Sequence, residues 1–151
     1  MIDRQRLRAQ LSKHEDRRKF VYDDADGKPI TECSFVRGFA SIGVGRNLVG
    51  KGLDDVEIDF LLDHDIDDAL AEAQTFRWFE SLDPVRRAVI VELCFNMNAA
   101  KLTKFVKFCN FMNEHRYMQA SEELKDSLWY RQVKTRGDTL IAQLVKGEWQ
   151  T

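Results

Sequence analysis

The chain has 151 residues, of which 44% are hydrophobic, so it is long enough to form one domain with a core of its own. No apolar run approaches the length of a helix that spans a bilayer, and the charged N-terminal residues lack the apolar segment of a signal peptide. The composition, with a net charge of only −2, therefore excludes a membrane-embedded protein, and we expect a protein made soluble in the cytoplasm.

Charge is unevenly distributed along the chain. Residues 1–19 carry seven Arg or Lys and three acids, whereas residues 54–72 carry nine acids and no Arg or Lys. A basic segment can assist the approach to an anionic surface, but the acidic segment argues against general polyanion binding. We therefore expect no nucleic-acid partner, and the acidic run is also typical of a solvated helix face.

The chain contains three cysteines, Cys33, Cys94 and Cys109. Their number is odd and their spacing is not that of metal ligands, which predicts free thiols in a reducing compartment. Cys94 and Cys109 fall in apolar helical patterns and are predicted to lie in the core. No metal site and no cofactor are expected.

Two acids stand near the beginning of the chain. Residues 2–14 predict a helix that ends close to Glu15, and a β-favouring trio then leads into an Asp-rich turn that contains Asp24 and ends at Gly27. Glu15 and Asp24 are nine positions apart and are expected to face one cleft. Two carboxyl groups with different surroundings are the minimum that cleavage of a glycosidic bond requires. The alternative is that both are solvated, since the chain has 25 acids.

The next segment connects this turn to a glycine-rich strand. Lys28–Ala40 is irregular, but its β-branched and aromatic residues favour an extra strand over residues 30–36. Ser41–Gly45 then alternates small and apolar residues, as a strand lining a site does. Its two glycines either let the backbone approach a ligand closely or form a bulge.

Residues after position 53 predict helices. Asp54–Glu57 is expected to cap the first of them, and Asp83-Pro84 supplies an N-cap residue followed by proline at the first helical position. The apolar spacing predicts helices over residues 56–73, 84–98, 105–112, 116–126 and 135–145, the last closed by Gly147.

The order Glu15, eight residues, Asp24 and then Ser41-Ile-Gly-Val-Gly resembles the phage-type lysozymes of glycoside hydrolase family 24, which cut the glycan of bacterial peptidoglycan. Ser81–Asn98 and Ser127–Arg136 are similar to later blocks of that family, in the same order, as is the short segment Lys-Gly-Glu-Trp near the C-terminus. The resemblance therefore covers nearly the whole chain.

The resemblance implies an α+β, lysozyme-like fold. A small β-hairpin lobe would comprise about residues 13–50, and a larger, mainly helical lobe would comprise about residues 1–12 and 51–151. A long helix would join the two. Family members often have a shorter link between the Asp turn and the hydroxyl residue, so Lys28–Ala40 is an insertion.

The resemblance also implies roles for single residues. Glu15 would protonate the leaving oxygen, Asp24 would stay ionised, and Ser41, where the family usually has Thr, would orient the attacking water. Arg136 matches an Arg that faces the catalytic Glu and ties the two lobes. Arg46 stands where many members have His, and we expect it to pair with Asp65.

Four further residues are predicted to contact the sugars. By the resemblance these are Asn47, Phe95, Asn96 and Phe108. The chain departs from the family at Phe108, where a small polar residue is common, and at Glu123, where an amide is common.

The function that these roles imply is a muramidase, cleaving the β-1,4 bond between N-acetylmuramic acid and N-acetylglucosamine. It would act as a monomer on peptidoglycan, and a bacteriophage would use it for host lysis, through a holin-type pore, or for wall penetration as part of the virion. It would be made in the host cytoplasm and act on the periplasmic wall. One alternative is a non-catalytic glycan-binding or virion-assembly module with the same fold. Another is a lytic transglycosylase, against which Asp24 argues.

Overall fold

The computed structural model describes residues 4–14 and 17–150. These residues form seven α-helices, one 3₁₀ turn and one three-stranded antiparallel sheet, so the predicted α+β class is confirmed and is consistent with a lysozyme-like fold. The chain divides into two compact units, Met1–Ile58 and Asp59–Thr151. None of the described helices is both long enough and apolar enough to cross a membrane.

The first unit contains helix α1 (Arg4–His14) and strands β1 (Arg18–Asp23), β2 (Ala40–Gly43) and β3 (Arg46–Asn47). The strands pair in the order β1-β2-β3. The predicted glycine-rich strand is therefore present, but it ends at Gly43. Gly43 and Gly45 have φ of 67° and 70°, a conformation that favours glycine, so these two residues serve the turn between β2 and β3.

The predicted extra strand over residues 30–36 is wrong, because this fully described segment is a loop. Ser34 N–H donates to the carbonyl of Thr31 over 3.0 Å, and Thr31 N–H donates to the hydroxyl of Ser34 over 2.8 Å. Ser and Thr side chains that bond nearby backbone compete with strand pairing. Residues 31–34 consequently form a local turn in place of an extended strand.

Helix α2 (Asp55–Ala73) begins with the predicted cap. Glu57 N–H donates to Oδ1 of Asp54 over 2.9 Å, and Asp54 N–H donates to Oε2 of Glu57 over 3.0 Å. This reciprocal pair is a capping box and confirms the predicted helix start. The helix begins in the first unit and continues into the second.

The second unit contains a 3₁₀ turn and the remaining helices. Their bounds are Phe79–Ser81 for the 3₁₀ turn, Pro84–Met97 for α3, Ala99–Leu102 for α4, Val106–Asn113 for α5, Tyr117–Lys125 for α6 and Leu128–Lys146 for α7. Burial of large apolar side chains between these helices stabilises the unit. The largest fully buried apolar side chains are Phe79, Val89, Ile90, Leu93, Leu102, Phe108, Met112, Leu124, Leu140 and Leu144.

The ends of α3 and α7 follow the predicted signals. The Asp83 side chain accepts hydrogen bonds from the N–H groups of the first turn of α3, and Gly147 closes α7 in the left-handed conformation with φ of 71°. Helix α7 begins at Leu128, before the predicted residue 135. Its backbone leaves the helical conformation at Lys134, with φ of 23° and ψ of −92°, so the helix predicted from the sequence is the part after this kink.

Candidate functional site

Asp24 lies at the start of the turn that follows β1. Its own N–H donates to the carbonyl of Phe39 over 3.1 Å, and its Oδ1 accepts a hydrogen bond from Phe39 N–H over 2.7 Å. The carboxylate is exposed, and Phe39 comes directly before β2. Two hydrogen bonds to one residue therefore fix the position of Asp24 relative to the neighbouring strand.

The preceding residue, Asp23, is buried and makes more hydrogen bonds than Asp24. Its Oδ1 accepts from the N–H groups of Ala25 and Gly38 over 3.0 and 2.9 Å, and its Oδ2 accepts from Arg37 N–H over 2.6 Å. These bonds hold the pKa of Asp23 below its usual value of 3.8, and the bond from Arg37 N–H has the largest effect. Burial acts in the opposite direction but is outweighed. Asp23 therefore binds the turn after β1 to the end of the 28–39 loop as an ionised group.

Ser41 lies on β2, in the middle of the sheet. The strand register pairs it with Tyr22 of β1, two positions before Asp24, and with Asn47 of β3. Only 2% of Ser41 is exposed. The sheet thus places Ser41 on the strand that pairs with β1, close to the turn that contains Asp24. Its role in holding a water stays a prediction.

Asn47, a predicted sugar contact, makes a turn of its own. Its Oδ1 accepts hydrogen bonds from the N–H groups of Val49 and Gly50 over 2.9 and 2.7 Å. Such an Asx turn orders the loop after β3. The amide oxygen of Asn47 is therefore engaged by backbone, and its contact with a sugar stays a prediction.

Arg46 ties the β2–β3 hairpin to the start of α2. Its guanidinium group pairs with both oxygens of Glu57 and donates to the carbonyl of Gly52. A bidentate Arg–carboxylate pair is both strong and directional. Glu57, the carboxylate that caps α2, is therefore a partner of Arg46 within the first unit. The pairing of Arg46 with Asp65, which lies in the second unit, stays a prediction.

A groove of about 640 Å³ lies in the second unit, and it contains two predicted site residues, Phe95 of α3 and Arg136 of α7. Arg136 Nε donates to Oε1 of Glu92 over 2.6 Å, so the two helices are joined by an ion pair at the wall of the groove. The apolar part of the lining comprises Leu62, Ile66, Leu70, Phe79, Ala88, Val91 and Phe95. An apolar floor with a few charged groups at its wall is typical of a ligand-binding groove.

The other two predicted sugar contacts lie elsewhere in this unit. Asn96 lines a second groove of about 450 Å³, which it shares with Phe95, and its side-chain amide donates to the carbonyl of Glu92 over 2.6 Å. Phe108 is fully buried in the core. Its ring has no exposed surface that a sugar could contact in this conformation, so Phe108 is a core residue here, as the amphipathic pattern of its helix also indicates.

Glu15 lies outside the described residues. Its role, its distance from Asp24 and its relation to Arg136 therefore stay predictions. Within residues 4–14 and 17–150 no group of three or more His, Cys, Asp or Glu side chains is arranged to hold a metal ion.

Sequence reasoning missed Asp23 and Glu92. Asp23 was one of several acids in a turn, and its partners Arg37 and Gly38 come 14 and 15 positions later. Glu92 pairs with Arg136 across 44 positions. Neither separation leaves a local pattern that a reading of one sequence can detect.

Comparison with known proteins finds similarity to lysozymes. No protein-family model matches the chain. Two curated proteins of Dictyostelium discoideum do match: "Probable T4-type lysozyme 2", with 29% identity over 69 residues, and "Probable T4-type lysozyme 1", with 25% identity over 69 residues. These similarities support a T4-lysozyme-like family. Each match covers 46% of this chain and 41% of the relative, so the similarity spans less than half of the curated proteins.

The similarity to T4-type lysozymes agrees with the resemblance that the sequence motifs indicated. It also agrees with the α+β architecture, in which a small antiparallel sheet is followed by helices.

Proposed function

We propose that this chain is a peptidoglycan hydrolase, a muramidase that cleaves the β-1,4 bond between N-acetylmuramic acid and N-acetylglucosamine. The observation that carries the proposal is the similarity to two T4-type lysozymes. The first unit adds support, because it holds an exposed carboxylate, Asp24, beside a strand that carries the hydroxyl group of Ser41.

In the proposed mechanism Glu15 is the general acid, and it gives a proton to the glycosidic oxygen as the bond breaks. Asp24 remains ionised and stabilises the positive charge that develops on the sugar. Phe39 N–H, bonded to Oδ1 of Asp24, keeps the carboxylate in one orientation. Ser41 would hold the attacking water together with Asp24.

We also propose that hydrolysis inverts the anomeric configuration. Inverting glycosidases hold their two carboxyl groups about 6.5–9.5 Å apart, which leaves room for a water, whereas retaining enzymes hold them about 5–5.5 Å apart. A hydroxyl residue beside Asp24 suits the first arrangement, because it can orient that water. NMR of the anomeric proton directly after cleavage should show the α-product first, and a β-product appearing first would mean that Asp24 attacks the sugar itself.

Residues of the second unit are proposed to bind the glycan. Phe95 is 43% exposed and lines both grooves, so its ring can pack against the apolar face of a sugar. Asn96 and the Glu92–Arg136 pair offer polar groups to sugar hydroxyls. Arg136 keeps the supporting role that the resemblance implies for it. Phe108 is fully buried and contributes to the core alone.

For the biological setting we propose a bacteriophage enzyme, made in the host cytoplasm and acting on the periplasmic wall. It would reach the wall through a holin-type pore at lysis, or as part of the virion during entry. The resemblance of the motifs to phage-type lysozymes supports this setting. Mass spectrometry of purified virions separates the two routes, because only the second places the chain in the particle.

Zymography on peptidoglycan tests the proposed activity, with Glu15→Gln as the decisive variant and Glu32→Gln as its matched control. Glu32 is an exposed acid of the 28–39 loop and has no role in the proposed chemistry. We expect clearing by the parent and by Glu32→Gln and none by Glu15→Gln. Equal clearing by all three proteins would refute the assignment of Glu15. Binding of peptidoglycan by a parent that clears nothing would favour the non-catalytic module.

A further inference from the structure

The end of the 28–39 loop lies against the turn that contains the two acids. Three consecutive N–H groups of this loop, from Arg37 to Phe39, point at carboxylates: the first two donate to Asp23 and the third donates to Asp24. The bonds measure 2.6, 2.9 and 2.7 Å. Asp24 N–H returns a bond to the carbonyl of Phe39 over 3.1 Å. Each of the three loop residues is therefore hydrogen-bonded to one of the two acids of the turn.

Gly38, in the middle of these three residues, has no room for a side chain. A Cβ atom on Gly38 would overlap with Oδ1 of Asp24, and it would lie 2.8 Å from Oδ1 of Asp23 and 2.9 Å from the Cβ of Ala25. Glycine is needed here because both carboxylates approach the backbone closely, and not because of an unusual φ.

We propose that Asp23 and Gly38 are positioning residues for Asp24, and that the 28–39 loop holds this proposed catalytic carboxylate in position. The Asp23 carboxylate holds the end of the loop in place by accepting hydrogen bonds from the N–H groups of Arg37 and Gly38. Gly38, which has no side chain, leaves the space that the Asp24 carboxylate occupies. With the loop held in this way, Phe39 N–H donates to Oδ1 of Asp24 and orients the carboxylate. The inference rests on the proposed function of Asp24, but the contacts themselves can be tested without any activity.

The two acids have different tasks in this arrangement. Asp23 is 5% exposed, and the hydrogen bonds that described residues make to its carboxylate all come from backbone N–H groups, so this carboxylate does not reach substrate. Asp24 is exposed, and the described residues engage only one of its oxygens through hydrogen bonds. Displacement of a reacting group by about 1 Å can lower a rate by roughly 100-fold. Loss of the contacts between the loop and the two acids is therefore expected to lower kcat more than it weakens substrate binding.

The main variant is Asp23→Asn, and its matched control is Asp26→Asn. Both acids belong to the same turn, but the carboxylate of Asp26 accepts from Lys28 N–H and pairs with the Lys28 ammonium group, at the near end of the loop. In Asp23→Asn the amide can replace only one of two accepting oxygens, so at least one loop N–H faces another donor. We expect kcat on soluble glycan chains to fall by roughly tenfold or more, with KM within about twofold of the parent, and no comparable fall in Asp26→Asn.

Amide hydrogen exchange measured by NMR supplies a readout that does not depend on activity. In Asp23→Asn the amides of Arg37, Gly38 and Phe39 should exchange faster than in the parent, whereas Asp26→Asn should leave them protected. A second variant, Gly38→Ala, should lower kcat in the same way. In an Asp24→Ala background Gly38→Ala should destabilise the protein less than in the parent, because the clash with Asp24 has been removed.

The outcomes separate this inference from the proposed function. If the parent is active, and Asp23→Asn keeps both its kcat and the slow exchange of the loop amides, the positioning role is overturned. An equal fall of kcat in Asp23→Asn and Asp26→Asn also overturns it, because the effect would then belong to the whole turn. If the parent is inactive, the proposed function fails. In that case, faster exchange of the loop amides in Asp23→Asn but not in Asp26→Asn would still establish that Asp23 holds the loop against Asp24.

Discussion

Removal of Arg86 tests how α3 is joined to the end of α7. The Arg86 guanidinium donates to the carbonyls of Leu144 and Val145, each over 2.7 Å, and to Oδ2 of Asp83 over 2.6 Å. Its Cζ atom also lies 3.9 Å from the centre of the Tyr117 ring. One side chain therefore satisfies the last carbonyls of α7 and pairs with the N-cap of its own helix.

The expected cost of Arg86→Met follows from these contacts. Two charge-assisted bonds to backbone carbonyls contribute about 1.5–3 kcal/mol each when their partner is removed. The pair with Asp83 adds at most about 1 kcal/mol, because 35% of the Asp83 side chain is exposed. Met retains apolar packing and water can reach part of the helix end, so we expect a total of about 3–5 kcal/mol. At this chain length that corresponds to a melting temperature lower by about 6–20 °C.

Arg87→Met is the matched control, since it makes the same change one position along α3. Arg87 donates to the carbonyls of Leu82, over 2.9 Å, and of Glu80, and it also pairs with the Glu80 carboxylate. Its side chain is 39% exposed and that of Glu80 is 66% exposed, so water can replace these bonds when Arg87 is removed. We expect this variant to lose only about 1 kcal/mol. Urea unfolding followed by circular dichroism measures both free energies. If the two variants differ by less than about 1 kcal/mol, Arg86 does not join the helices as described.

Three further predictions concern single residues. Cys33 should react quickly with a thiol reagent, whereas Cys94 should react only on unfolding, because burial raises its pKa to about 12; labelling of Cys94 in the native state, located by peptide mass spectrometry, would contradict this. The pKa of Asp23 lies below its usual 3.8, so its stabilisation is present above that pH and lost below it. Asp23→Asn should therefore flatten the dependence of the unfolding free energy on pH below about 4, and an unchanged slope would contradict it. Phe108→Ala should cost about 3–5 kcal/mol of stability, whereas Phe95→Ala should cost far less and raise KM for glycan; equal losses of stability would contradict the assigned burial.

Local signals in the sequence predicted the helix ends. The cap at Asp54 and Glu57, the Asp83-Pro84 start and the closing Gly147 were all found where their side-chain chemistry placed them. These signals depend on residues within one turn of each other, so a single sequence contains all the information that they need.

Contacts between distant segments could not be predicted. The partners of Asp23 lie 14 and 15 positions later, and the 28–39 loop forms no strand because the Thr31–Ser34 turn competes with pairing. The pair of Arg46 with Glu57 joins residues 11 positions apart, and no local sequence pattern indicates it. The predicted lobe boundaries and the roles of the site residues stay predictions.

Mass spectrometry of the muropeptides released from purified peptidoglycan tests the central proposal most directly. A muramidase that adds water across the β-1,4 bond should release fragments that end in a reducing N-acetylmuramic acid, and Glu15→Gln should release none. Fragments that end in 1,6-anhydro-N-acetylmuramic acid, which are lighter by one water, would instead identify a lytic transglycosylase and remove the water-holding role of Asp24 and Ser41.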